Sequence, residues 1–483
     1  NNTAVGHSAL VSSSGGGSGN VAVGKDALRN NSAGSNIAVG LSALNTNTSG
    51  EKNVAVGREV LRSNTTADKN TGIGHEALYS NQTGSNNTGV GFRALRATTS
   101  SGSTAVGYDA LLSNTTGSGN VAFGAYAGDA VTTGSRITAL GYQALSNTNG
   151  MDNTAVGYNS LALNNQGIDN TAVGSSALAT QSNAIDNTAV GKTAGYSITT
   201  GPGNTGIGKD ALFATTTGAN NGAVGREAME SNTIGTNNVA VGLDALKANT
   251  TAGQNTGVGC QALKTNINGT YNSALGAFAL IFNTSGNYNT ALGADALREN
   301  TTGSQGTAVG YQALKDTTVG NCTAVGYHAL LSNTSGIDNV ALGVKSLDAN
   351  TSGHYNTGLG SWTLGANTTA DYNVAVGYNS MNLTTTGEKN TAVGSLSLDG
   401  NVDGDLNTAI GYLALSGANT GNENTGIGAG ALQVNTSGIR NTAVGLSALA
   451  ANTTGYDNVA IGRHALVGNQ TGYSNVAVGK HSL

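Results

Sequence analysis

The sequence predicts an all-β protein: a parallel β-solenoid of about 29 coils with 17 residues in each. Three observations predict it. A glycine preceded by Ala-Val or a similar pair returns along the whole 483-residue chain, from Gly6 to Gly479; of the 28 intervals between these 29 glycines, 23 are 17 residues, four are 16 and one is 18. A period this short and steady belongs to a stacked array with one coil per repeat. The residues just before each marker glycine are β-branched or small, as in Asn153-Thr154-Ala155-Val156-Gly157, which reads as a strand of about four residues. The second half of the repeat, Asn-Thr-Thr-Gly in Asn300-Thr301-Thr302-Gly303, is turn chemistry. Known helical repeats need more than about 30 residues, so a coil of two or three short strands joined by turns is the reading that fits.

Positions are numbered from the marker glycine at 0. Position −4 is Asn in 25 copies, with Ser103, Ile137, Gly306 and Cys322 as exceptions. Stacked amides such as Asn153, Asn170, Asn187 and Asn204 can hydrogen-bond from coil to coil, so a structural ladder is expected there rather than a ligand site. Position −1 is apolar in every copy, and +4 is Leu in 25 and Met in two. The expected continuous core therefore includes Val156, Leu161, Val173, Leu178, Val190, Val241 and Leu246.

Position −2 is Ala in 23 copies and Gly in six, never larger. In a strand it faces away from −1 and −3. If −1 points inward, the small column points outward against something close, and Ala155, Ala172 and Ala189 would line a chain–chain interface. The competing reading is a narrow interior with −2 inside and −1 outside; period alone does not decide between them. A trimer with this column at its interface is the expectation carried forward, because two large side chains per coil bury little.

Charges and tyrosines gather at +1 and +2, as in Lys25-Asp26, Arg226-Glu227, Tyr108, Tyr142, Tyr158 and Tyr311, which marks these positions as solvent-facing. A Tyr row can bind sugars, but side chains that cover their neighbours are the expected role. Two coils depart together: Gly128 and Gly195 replace Leu at +4, and Val131 and Ile198 replace Asn at +7. The apolar anchor moves three residues along, and a different corner is expected. Thirteen Asn-x-Ser/Thr sequons fall at +7: Asn47, Asn64, Asn81, Asn114, Asn249, Asn283, Asn300, Asn333, Asn350, Asn367, Asn435, Asn452 and Asn469. They are candidate glycan acceptors along one edge, against turn composition as the plainer explanation.

Lys and Arg number 21 against 26 Asp and Glu, a net charge of −5. No basic stripe exists to neutralise phosphates, so nucleic acid is not an expected partner. No apolar run approaches the roughly 18 residues of a membrane span. Cys260 and Cys322 lie about four coils apart, roughly 19 Å at a ~4.8 Å strand spacing, too far for a disulfide. The six histidines sit in different coils without metal-ligand spacing. Asp before the ladder Asn (Asp152, Asp169, Asp186, Asp338, Asp457) suggests calcium only faintly, since the glycine-rich calcium nonapeptide is absent. Neither catalysis, a metal nor a cofactor is expected. The chain opens and stops inside a repeat, and reads as one uninterrupted array, 1–483, cut from a longer fibrous protein.

The strand Asn475-Val476-Ala477-Val478-Gly479 resembles the head repeat of trimeric autotransporter adhesins, whose heads are left-handed parallel β-rolls built as homotrimers. The longer run Thr323-Ala324-Val325-Gly326-Tyr327-His328-Ala329-Leu330-Leu331-Ser332-Asn333-Thr334-Ser335-Gly336 is similar to the arrays of bacterial and phage tail-fibre-domain proteins. The adhesin repeat is typically shorter, so the Asn-Thr-Thr-Gly arm would enlarge the coil. The resemblance covers the whole chain and implies an extracellular, cell-surface or virion fibre, left-handed and trimeric, whose partners are itself and surface glycans or a host cell surface. The expected function is a fibre shaft or adhesin stalk. A self-polymerising, glycosylated filament is the alternative, and an ice- or surface-binding solenoid a distant third.

Overall fold

A computed structural model describes residues 1–12 and 17–483, which form two compact units, Asn1–Asn238 and Val239–Leu483. Each is a parallel β-solenoid. The first holds fourteen strands, β1 (Thr3–Val5) to β14 (Gly222–Val224); the second holds fifteen, β15 (Val239–Val241) to β29 (Val476–Val478). No helix occurs among the described residues. The predicted fold class and period hold: about 29 turns, about 17 residues apart.

Each coil carries one strand of three residues, at −3, −2 and −1, where two or three strands were expected. Neighbouring strands pair parallel and in register, as in Thr154↔Thr171, Ala155↔Ala172 and Val156↔Val173. Like residues therefore stack on like, column by column. The rest of the coil is not extended because it turns through left-handed conformations. Asp152 (φ 58°), Asn159 (φ 53°) and Leu161 (φ 48°) show the pattern at −5, +2 and +4. Each such non-glycine residue costs about 1–2 kcal/mol in isolation. Stacking offsets that cost, because these turns also hydrogen-bond from coil to coil. Leu161 N donates to Ala177 O (2.9 Å) and Asn159 N to Tyr142 O (2.9 Å).

The marker glycine is needed for two reasons at once. Gly157 has φ +133°, and a Cβ there would lie 2.6 Å from the carbonyl oxygen of Gly174 in the next coil. Successive turns approach too closely at this corner for any side chain.

The direction of the strand corrects the expected core. Ala155, Ala172 and Ala189 are enclosed at 0%, 0% and 1% exposure, whereas Val156, Val173 and Val190 are only half-buried and Val241 is 38% exposed. The small column is inside and the β-branched column outside. Ala155, Ala172 and Ala189 therefore contact their own coil and cannot line an interface. The cause is width: the interior already holds Leu161, Leu178 and Leu246 at +4, all fully buried, and leaves room for only a methyl group opposite. The apolar core is thus the Ala(−2), Ala(+3) and Leu(+4) columns.

The other side of the interior is polar. Asn153, Asn170, Asn187 and Asn204 form the predicted ladder at −4. Asn170 N donates to Asn153 Oδ1 (3.1 Å), Asn187 N to Asn170 Oδ1 (3.0 Å) and Asn204 N to Asn187 Oδ1 (2.9 Å). Each amide nitrogen also satisfies a carbonyl across the coil, as Asn153 Nδ2 does with Gly167 O (2.7 Å). Buried amides are stabilising only when paired in this way.

Candidate functional site

Four surfaces come from the coil: the polar interior, the outward strand face, the corner at +1 and +2, and the groove at +5 and +6. The interior holds the largest correction. Twelve of the thirteen sequon asparagines, from Asn47 to Asn452, are fully buried, and Asn469 is half-buried. They form a second ladder facing the first. Asn350 Nδ2 donates to Asn333 Oδ1 (2.8 Å) and to Gly353 O (3.1 Å), and Asn367 Nδ2 donates to Asn350 Oδ1 (2.8 Å). Asn47, Asn64, Asn81, Asn114, Asn249, Asn283, Asn300, Asn333, Asn350, Asn367, Asn435 and Asn452 therefore cannot carry glycans in the folded chain, because their nitrogens are enclosed and already donating. At the half-buried Asn469 the same nitrogen is engaged by Asn452 Oδ1 (3.1 Å) and Gly472 O (3.2 Å). The sequence signal for this ladder was the +7 recurrence of Asn with Gly or Ala three residues later. The same residue types also make turns, so the recurrence alone does not separate a buried ladder from turn composition. The +10 position stays small for a related reason: a Cβ on Gly167 would lie 2.3 Å from Ala184 O and 2.4 Å from Asn164 Oδ1.

The outward strand face carries columns −3 and −1. They are Thr, Val, Ile, Leu or Phe, with Ser273 and Gly222 as the two other residues, and no copy is charged. Between them runs a trough floored by the backbone of −2. Beside Thr256, Ser273–Leu275 and Thr290–Leu292 it forms an open depression of about 290 Å³ against Leu275 and Leu292. Those leucines are 49% and 42% exposed.

The corner is solvent-facing at +1, as expected, where Tyr108, Tyr142 and Tyr158 are exposed; at +2 the expectation fails in part, because Asp109 and Asp244 are buried against neighbouring coils. In the first unit His75, Phe92, Tyr108, Tyr126, Tyr142 and Tyr158 form one column, with successive ring centroids 5.1–5.8 Å apart. The stacked members, such as Tyr142 on Tyr158 and Tyr311 on Tyr327, turn their faces to one another. A sugar-stacking platform needs a free ring face, so this packing favours neighbour cover. Ion pairs bridge adjacent coils here too. Asp109 takes two bonds from Arg93, the shorter 2.5 Å.

The aspartates offered for calcium are partly engaged otherwise. Asp152 is bridged by Arg136 (2.6 Å to each oxygen) and Asp457 by Arg440 (2.7 and 3.2 Å); the guanidinium holds each carboxyl below its ordinary range. Among the described residues no group of three or more His, Cys, Asp or Glu could hold a metal ion. Cys260 is exposed and Cys322 buried, both free, and burial pushes the Cys322 thiol up.

At +5 and +6 in the second unit lies an open groove of about 380 Å³. Gly365 leaves a gap beside Asp348, Trp362 and Asn382. The Lys345 ammonium lies 4.4 Å from the Trp362 ring centre. Burial raises the Asp348 carboxyl above its usual range, against the pull of Lys345. Asp129 and Asp399, also at +5, are raised by burial in the same way.

No helix is long and apolar enough to cross a membrane among the described residues. Neither a protein-family model nor a curated protein sequence matches this chain.

Proposed function

We propose that the chain is a structural shaft, outside the cell or on a virion, that supplies reach, stiffness and repeated weak contacts, and that it associates with copies of itself. The observation that carries this reading is the sameness of the coil. The interior set of Asn(−4), Ala(−2), Leu(+4) and Asn(+7) recurs in both units, and its substitutions are themselves buried fillers. Chemistry at one point would need one coil to be special. The resemblance to adhesin heads and tail-fibre arrays supports the same role.

The test is removal of whole repeats. Deleting residues 344–360 should shorten the purified particle by about one strand spacing, ~4.8 Å, and deleting five repeats by ~24 Å in electron micrographs, with folding retained. Cooperative unfolding after a clean one-repeat deletion would reject the reading.

A further inference from the structure

We propose that the outward strand face is a pairing surface, and that its occupant is the same face of a second copy of this chain. The proposal rests on the shaft reading and deepens it by naming the partner, the face and the number of chains.

Composition comes first. Across both units no −3 or −1 residue is charged, although Lys, Arg, Asp and Glu stand at neighbouring outward positions +1, +2 and −5. Exposed β-faces normally carry charges that prevent sticking. Here the side chains stand free instead: Ile73, Phe123, Leu140 and Ile207 in the first unit, Leu275 and Leu342 in the second, each 38–57% exposed. The −1 column is thus a continuous apolar ridge beside an uncharged, mostly Thr column at −3, and an exposed apolar ridge of this kind marks an interaction site.

Shape comes second. The trough between the columns has ridges on both sides and repeats once per coil. A partner filling it along its length must carry apolar knobs at the same rise, one per coil, over fourteen or fifteen coils. The −1 column of this chain is such a row. Two copies can therefore seat ridge in trough about 10 Å apart, as paired sheets do in dry zippers.

Area comes third. A three-residue strand about 10 Å long at ~4.8 Å spacing presents roughly 50 Å² per coil. Fifteen coils then supply roughly 700 Å² of flat face, close to the ~800 Å² per partner of a stable interface.

The number of chains follows from the one strand in each coil. A chain with a single such face is fully engaged by one partner, which makes the contact isologous and closes the assembly at two. A ring of three would have to divide this one narrow face between two neighbours and leave each contact about half of it, so the area favours a pair over the trimer.

The experiment uses the full chain. Its mass in solution at micromolar concentration should be twice that of one chain, and Leu275→Glu with Leu292→Glu, extended to Leu342→Glu, should halve it. The β-signature in circular dichroism should not change, because these side chains face outward. With the two chains running parallel, so that each coil meets its own copy, Leu292→Cys in a Cys260→Ser background should form interchain disulfides on mild oxidation, whereas Tyr311→Cys at the +1 corner should not. The cysteine pair keeps the idea testable if the glutamate variants fold poorly. A monomeric wild type, a mass of three chains, or crosslinking at Tyr311→Cys but not Leu292→Cys overturns the proposal. So does a monomer whose strand face adsorbs to ice. A monomer that still shortens evenly on repeat deletion defeats pairing and leaves the shaft intact. A pair that collapses on deletion does the reverse.

Discussion

The two units share a backbone but fill it differently. In the second, the +7 column is almost all amide: Asn249, Asn266 and Asn283 are joined by links of 3.1 and 2.7 Å, and Asn401, Asn419, Asn435, Asn452 and Asn469 by links of 2.8–3.1 Å. In the first, links join Asn31, Asn47 and Asn64, and then Thr98, Val131, Thr148, Gln181, Ile198 and Thr215 interrupt the column. The coil survives every interruption. At Gly128 the left-handed corner is kept (φ +61°), with Gly128 N on Ala144 O (2.9 Å), the same bond that Leu161 makes to Ala177. The expected different corner is therefore absent. The volume has moved instead, since Val131 and Ile198 fill from the ladder side what the missing leucines left. The lesson is that coil-to-coil backbone bonds set the path, while the filling need only match in volume and satisfy its polar atoms.

The largest expected effect treats the units alike. Leu161→Ala in the first unit and Leu364→Ala in the second remove the same buried side chain, so each should cost about 2–5 kcal/mol. Hydrogen exchange read coil by coil is the suitable measurement, because repeat arrays need not unfold all-or-none. A large difference between the two would show that ladder continuity changes how rigidly the Leu column is held.

Next comes the exchanged filling. A Cβ on Gly128 would sit 2.9 Å from Leu111 Cδ2 and 3.4 Å from Val131 Cγ2. Gly128→Leu alone should overpack by about 1–3 kcal/mol. Combined with Val131→Asn it should recover most of that loss, since the pair restores the regular coil. Non-additivity of this size in thermal unfolding is the check; simple additivity would break the volume-exchange account.

A smaller effect separates the ladders. Asn350 lies inside an amide run, whereas Asn164 is flanked by Thr148 and Gln181 and bonds within its own turn, to Gly167. Asn350→Ala strands Asn333 Oδ1 and one bond from Asn367, so it should cost about 1–2 kcal/mol more than Asn164→Ala. Equal losses in urea unfolding would mean that the run adds nothing beyond each turn.

The smallest effect depends on pH. Asp129 and Asp399 stand at +5 in different units, and each has an Oδ1 that meets no hydrogen-bonding group among the described residues. Burial raises both carboxyls. The folded state then holds its proton to higher pH than the unfolded chain, so stability falls as pH rises from the ordinary Asp value through the raised one. Asp129→Asn and Asp399→Asn should each be modestly stabilising at neutral pH, with the gain vanishing below about pH 4. A gain that persists in acid would point to packing rather than charge.

Much of the fold was legible because columns in a stack repeat one choice many times. Gly157 and Ala155 each announce a close approach through the absence of anything larger. Asn153 announced its ladder because the same amide recurs immediately before each strand, where parallel stacking places like on like. The direction of Val156 was not legible, since an alternating strand reads the same from either face and only the width of the coil, set by Leu161, decides it. Asn350 was obscured by chemistry: Asn before Thr and Gly is what a turn, a sequon and a buried amide ladder all require. Leu161 at φ 48° could not be foreseen from propensity at all, because the neighbouring coils hold it there.

Both amide columns run one way. Asn170 donates to Asn153, and Asn64 to Asn47, always the later coil to the earlier. A finished coil thus offers open side-chain acceptors only to residues not yet synthesised, and asks nothing of them to complete its own amide bonds. A chain emerging amino end first, from a ribosome or through a pore, meets a ready template at each step. It can lay down one turn on the last like a thread wound from a fixed end.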